Sequence, residues 1–336
     1  MQTKQELKEV CLFLKYNFHK SCMLPISAKL THFDVDHLVE SKRHKVYDTS
    51  GGDKGRYKVF IIADEWGDLF RENAEILCTT GHSMANKNTT LDQKNSIMDY
   101  IYVPSSYYVD EFTKKGIFPK SDFIITGYPA ATKIFKEASS NKRRGETFSK
   151  RVLIAPTYNR DLSIMDGLME AEEKHKIFSK LSDYHIMFKL HPVLPKKYPE
   201  QAAFCQYLGK KYENVFYHEE SHADLADFIL WADLLLGDCS GALLLGAAGD
   251  IPIIACNNPN RTRSEYFDKY GPEWVFRKEY AQTISYSELA YLPNFIHEAL
   301  QNDHLQIRRK ALVDKLFAHQ LDAETQIARH IRSLLG

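Results

Sequence analysis

Residues 225–258, LADFILWADLLLGDCSGALLLGAAGDIPIIACNN, constrain the fold more than any other stretch. A helix ending near Trp231 runs into an apolar strand, Leu234 to Gly237, which delivers Asp238, Cys239, Ser240 and Gly241 to a sharp turn. A helix from Ala242 to Ala248 leaves the turn at once, and a second apolar strand follows, Ile253 to Cys256. Strands that are apolar along their whole length are covered on both faces, the mark of a parallel βαβ unit. The polar turn sits at the carboxyl end of its strand, where open α/β sheets bind ligands. Ser240 and Gly241 place a hydroxyl and the N–H groups of a helix start at one point, which suits a phosphate. A plain helix cap from Asp238 and Ser240 fits the same residues.

Upstream the same alternation recurs. Strands are expected at Val10–Asn17, Tyr57–Ala63, Ile76–Thr79, Tyr100–Val103 and Phe123–Thr126, with a helix from Ser105 or Ser106 to about Lys115. Residues 138–150 are polar and charged, and read as a linker. The pattern then restarts: strand Val152–Ala155, helix Met165 to about Ser182, strand His185–Leu190, helix Pro199–Lys211, strand Val215–Tyr217. The expectation is therefore an α/β chain of two Rossmann-like domains facing a cleft. One domain spans 1–140, and a second, with terminal helices, spans 151–336.

Composition excludes some function classes. Lys plus Arg and Asp plus Glu are 44 each, so no overall field draws the chain to nucleic acid. The six cysteines never form a CxxC pair, which argues against a zinc site and a disulfide framework alike. MQTKQELKEV has no apolar signal core, and no run of residues approaches the ~20 needed to span a bilayer. A cytoplasmic protein, or one peripheral to the inner membrane face, is expected. The sequence leaves the oligomeric state open.

Several residues could carry chemistry. His82, in TTGHSMANK, follows a strand and has an unperturbed pKa suited to a general base; it also reads as one of 14 histidines on a loop. His191 ends a strand, and Pro192 holds its backbone extended. Lys189 alternates with apolar neighbours, facing either the site or solvent. Thr157 and Arg160 lie in the polar loop of LIAPTYNRD, and an arginine there suits a phosphate or a surface carboxylate. Arg261 and Arg263, in NNPNRTR, offer a second anion grip or a solvated loop. Asp64 and Glu65 are second-tier candidates for a base or a metal ligand. The chain has no GxSxG elbow, P-loop, GxGxxG turn or HExxH.

Gly81-His82, PSSYYVDEF (104–112) with TGYP (126–129), APTYNRD (155–161), KLHP (189–192) and WADLLLGDCSGALLLGAAGDIPII (231–254) together resemble the CDP-glycerol glycerophosphotransferase family. That family includes teichoic acid primases and polymerases and related capsule polymerases. The resemblance runs over roughly residues 76 to 260. It implies a GT-B-like pair of domains, 1–140 on the acceptor side and 151–336 binding the nucleotide donor, with a CDP-activated polyol phosphate as donor, a lipid-linked or polymeric glycan as acceptor, and no flavin or nicotinamide cofactor; the sequence itself requires no divalent metal. It further implies that His82 is the base for the acceptor hydroxyl and that His191 steadies the pyrophosphate as CMP leaves. Asp238, Ser240 and Gly241 stand where the family has a D-Y-S-S type turn at the donor phosphates. Here Tyr-Ser-Ser has become Cys239-Ser240-Gly241, with one hydroxyl fewer, and the usual Trp-His-Gly is Gly81-His82-Ser83. Two rival expectations keep the cleft: a glycosyltransferase using a CMP- or UDP-sugar, with Asp64 or Glu65 as base, and a non-catalytic nucleotide-sugar-binding subunit.

Overall fold

The structure is a computed structural model. It describes residues 7–14, 19–40, 46–48, 56–63, 70–81, 83–84, 97–116, 121–139, 150–219 and 223–336. These residues form two compact units. One takes its described residues from 7 to 84, 97 to 133 and 314 to 336; the other takes 134 to 313.

The first unit holds β1 (Lys8–Leu14), α1 (Lys20–Ser27), β2 (Val35–Glu40), β3 (Val46–Asp48), β4 (Tyr57–Ile62), β5 (Ala74–Thr79), β6 (Tyr100–Val103), α2 (Ser106–Lys115) and β7 (Asp122–Ile125). α3 (Pro129–Ser139) leads out of it, and the division between units falls inside this helix. The strands make one sheet in the order β3-β2-β1-β4-β5-β6-β7, parallel throughout except for the edge strand β3. β1 and β4 are nearly continuous apolar runs with almost every residue buried, as strands covered on both faces must be.

The second unit holds β8 (Lys150–Ile154), α4 (Met165–His175), β9 (Tyr184–Phe188), α5 (Leu194–Lys197), α6 (Pro199–Lys211), β10 (Val215–Tyr217), α7 (Leu225–Trp231), β11 (Leu234–Gly237), α8 (Gly241–Ala248) and β12 (Ile253–Asn257). After these come α9 (Pro272–Val275), α10 (Arg277–Tyr280), β13 (Gln282–Ser285) and α11 (Leu292–Gln301); α12 (Gln306–Leu316) follows, and the division between the units falls inside it, after Val313. Its sheet is wholly parallel, in the order β10-β9-β8-β11-β12-β13. The chain winds outward from β8 to β10, returns to the middle at β11, and winds outward the other way. The order thus reverses between β8 and β11, the switch point at which doubly wound sheets leave a crevice. Helix α8 is apolar on all sides and lies close over this centre, because Gly246 carries no side chain: a Cβ there would stand 2.5 Å from Leu235 Cδ2.

α13 (Ala323–Leu335) corrects an expectation. The sequence pattern puts the terminal helices with the second domain, yet Ile327, Ala328 and Ile331 of α13 are buried in the first unit's core with Val10, Leu12, Met23 and Ile61. The chain therefore finishes where it began. The helix expected from Met165 to Ser182 is likewise two pieces, because Lys176 adopts φ 51° and closes α4 before a 3-10 turn, Ile177–Leu181. Among the described residues, no helix is long and apolar enough to cross a membrane.

Candidate functional site

The turns that follow β8, β9, β11 and β12 share the carboxyl end of the second unit's sheet, and four of the expected motifs fall on them. Asp238 leaves β11 with no exposure to solvent. Its carboxylate points across the switch point into the loop after β8. There it accepts the backbone N–H of Thr157 on both oxygens, at 3.1 and 3.0 Å, and that of Ile164 at 3.0 Å. Burial raises its pKa to about 6, against the pull of those N–H donors and of the Arg277 guanidinium. Asp238 therefore fastens the 157–164 loop rather than facing a ligand.

Two hydroxyls beside this fastening have no partner. Thr157 is 1% exposed, and among the described residues neither its Oγ1 nor the buried Oγ of Ser240 makes a hydrogen bond. Ser240 is the N-cap of α8, with extended backbone (φ −153°, ψ 160°), but its side chain does not cap the helix. Gly241 opens the helix. The first N–H groups of any helix lack intrahelical acceptors, so this end is electropositive. Buried hydroxyls left without partners cost stability, about 1–3 kcal/mol each, and such groups call for an explanation in function.

His191 follows β9. Its Nδ1 accepts the Val193 backbone N–H at 3.2 Å, which leaves Nε2 to carry the proton in the neutral ring and to act as a donor. Tyr158 packs against the ring, with centroids 4.7 Å apart. Lys189 is buried; its ammonium lies 5.8 Å from the centre of the Phe228 ring and donates to the Leu190 carbonyl at 3.4 Å.

The arginines expected to grip anions are placed differently. Arg160 makes a two-pronged pair with Asp166, at 2.6 and 3.3 Å, with Glu200 at 3.6 Å. Arg261 lies over the Trp274 ring at 4.5 Å and donates to the Asn258 carbonyl at 3.3 Å, while Arg263 is exposed on the same 3-10 turn. His82, Asp64 and Glu65 lie outside the described residues.

Other residues of the site carry no sequence motif. Arg277, at the start of α10, donates to the carbonyls of Asp238 at 2.7 Å and Cys256 at 3.0 Å. Asn258 is buried and donates to the carbonyls of Arg160 and Ser163 and to the Tyr286 hydroxyl, which in turn bonds to the Ser163 carbonyl. Asn258 of NNPNRTR is thus a staple between loops. The asparagines beside a strand end are its only signal in the sequence; Arg277, in a four-residue helix, has none.

Two Rossmann-type sheets, the second with its polar turns gathered at the switch point, define an α/β protein of GT-B-like fold. A family model described as CDP-Glycerol:Poly(glycerophosphate) glycerophosphotransferase matches residues 74–320, and the chain belongs to that family. Membership places it among the transferases that use CDP-activated polyols in cell-surface glycan synthesis. Among solved structures, the wall teichoic acid polymerase TagF is similar with a TM-score of 0.66 and 16% identity, over 98% of this chain and 90% of that one. A variant of TagF soaked with CDPG gives a TM-score of 0.65 and 14% identity, over 98% and 89%. S. aureus MnaA with UDP gives a TM-score of 0.64 and 10% identity, over 98% and 97%. These likenesses are of fold. Comparison with curated proteins finds no match.

Proposed function

We propose that this chain moves a glycerol- or ribitol-phosphate unit from its CDP derivative to a hydroxyl of a lipid-linked or polymeric surface glycan, releasing CMP. The observation that carries the reading is the pair of buried hydroxyls without a partner among the described residues, Thr157 in the loop after β8 and Ser240 at the N-terminus of α8, on either side of the switch point. A pyrophosphate supplies the acceptor oxygens that both hydroxyls and the helix start lack.

In the reaction the acceptor oxygen forms a bond to the phosphorus that carries the polyol. The bond from that phosphorus to the bridging oxygen breaks, CMP departs with the electron pair, and the hydroxyl proton passes to a base. His82 is the base by family position. His191, donating from Nε2, neutralises charge that grows on the departing phosphate, and Thr157, Ser240 and Gly241 hold the phosphates in line. Asp238 holds the Thr157 backbone in place.

The test is CMP release by the purified full-length chain from CDP-glycerol and CDP-ribitol, with poly(glycerol phosphate) as acceptor and with CMP- and UDP-sugars in parallel. Acceptor-dependent CMP release from a CDP-polyol, lost in His82→Ala and His191→Ala, is expected. Turnover of a UDP-sugar alone would overturn the proposal.

A further inference from the structure

Behind the Asp238 turn lies a cation that the donor reading does not use. Arg277 is 4% exposed, and its two Nη groups clasp the carbonyls of Asp238 and Cys256, the first residue after β11 and a residue of β12. Its guanidinium is 5.3 Å from the centre of the Trp274 ring, and Arg261 lies 4.5 Å from the same ring. One planar group thus fixes the spacing of two adjacent strand ends, and one indole is shared with an arginine of the neighbouring loop. Resting on the donor reading above, we propose that Arg277 is a positioning residue of the transferase. It holds the Ser240 turn at its working distance from the loop after β12, and it sets a positive charge beside the residue whose carboxylate fastens the 157–164 loop.

The geometry separates these two roles. Spacing depends on the fork of the guanidinium, which a lysine cannot reproduce, whereas the charge survives in lysine. Among the described residues, Arg277 is the cation held beside Asp238, at its main-chain carbonyl. The other titratable groups that face it are the Cys256 thiol and the Tyr286 phenol, both of which burial pushes well above their ordinary range, and neither ionises near neutral pH. Of these three groups, Asp238 is the one that changes charge in the window from pH 5 to 8. Protonating it removes the negative charge that strengthens the bonds from the Thr157 and Ile164 N–H groups and turns one of the two oxygens into a donor, so nucleotide binding should weaken on the acid side of about pH 6.

The test measures CMP affinity from pH 5 to 8, and the melting temperature of the nucleotide-free protein over the same range, for wild type, Arg277→Lys and Arg277→Met. In Arg277→Met the acid limb of CMP binding should move up by roughly one pH unit, the nucleotide-free profile should move the same way, and affinity at pH 7 should fall about tenfold or more. Arg277→Lys should keep the limb where wild type has it but fail to restore full affinity. If the methionine variant is too unstable to measure, the lysine variant carries the test: wild-type affinity at every pH would overturn the spacing role. A methionine variant that merely melts earlier, with both profiles unshifted, would also overturn the proposal. Should wild type bind no CMP, the donor reading fails by itself. The nucleotide-free profiles then decide the Arg277–Asp238 coupling, a shift upholding it and no shift ending it.

Discussion

The carboxylate of Asp238 holds the backbone N–H of Thr157 through both of its oxygens, from one side of the switch point to the other. A carboxylate buried at the seam of a parallel sheet is costly unless N–H donors converge on it. Here the loops after two different strands meet on one side chain. Asp238→Ala leaves the Thr157 and Ile164 N–H groups without an acceptor, and a destabilisation of about 2–4 kcal/mol is expected. Denaturant unfolding measures it; a loss under 1 kcal/mol would mean that water replaces the carboxylate at no cost.

The same residue sets a pH dependence of stability. Its folded pKa of about 6 lies above the ordinary 3.8. The folded state therefore holds the proton more tightly than the unfolded chain. The contribution to stability is most favourable below the unfolded value, declines as pH rises through the window to about 6, and is flat above it. The decline amounts to about 3 kcal/mol at most. Asp238→Asn cannot ionise, so the difference between wild type and this variant, followed by unfolding from pH 4 to 7, should change in that direction by about 2 kcal/mol, the part of the decline that falls in this range.

His191 is predicted to act in the step and not in the fold. Its ring is partly exposed and rests on Tyr158, so His191→Ala should cost little stability. If Nε2–H meets the charge that develops on departing CMP, kcat falls by about 10² to 10³ with a smaller change in donor KM. Steady-state CMP release checks this. A pure KM effect would make His191 a binding residue only.

Gly127, in TGYP, illustrates a motif with a structural cause. It adopts φ +81°, and a Cβ there would stand 2.3 Å from the Ala318 carbonyl oxygen and 3.0 Å from the Ala323 Cβ. The backbone of the terminal segment can lie against this turn only because no side chain intervenes. Gly127→Ala should destabilise by about 2–4 kcal/mol, through left-handed strain and the backbone clash together. A melting curve for the first unit's cooperative transition measures it.

The legible part of this molecule was whatever burial writes into composition. β11, α8 and β12 are apolar without interruption, and their limits were readable to within a residue. β2 was missed because VDHLVE mixes charge with apolar residues near a sheet edge, where strand patterns weaken. α13 is amphipathic, but an apolar stripe in a sequence says that a face is covered and not by what, so its place on the first unit is not written there. In the site, Thr157, Ser240 and His191 announced themselves as polar residues at strand ends. Asp238 announced itself equally, yet its direction depends on a loop 74 to 81 residues away. Arg277 binds only main-chain carbonyls, and no residue pattern encodes those.

The central claim, that two hydroxyls stand buried for the sake of a donor phosphate, is tested most directly by thermal unfolding of Thr157→Val and Ser240→Ala with and without CDP-glycerol. Removing an unpartnered buried hydroxyl should leave the nucleotide-free protein as stable as wild type or up to about 2 kcal/mol more so, while the stabilisation by donor shrinks as affinity falls about tenfold. Variants that lose stability without nucleotide, yet keep the full donor-induced rise in Tm, would contradict the account.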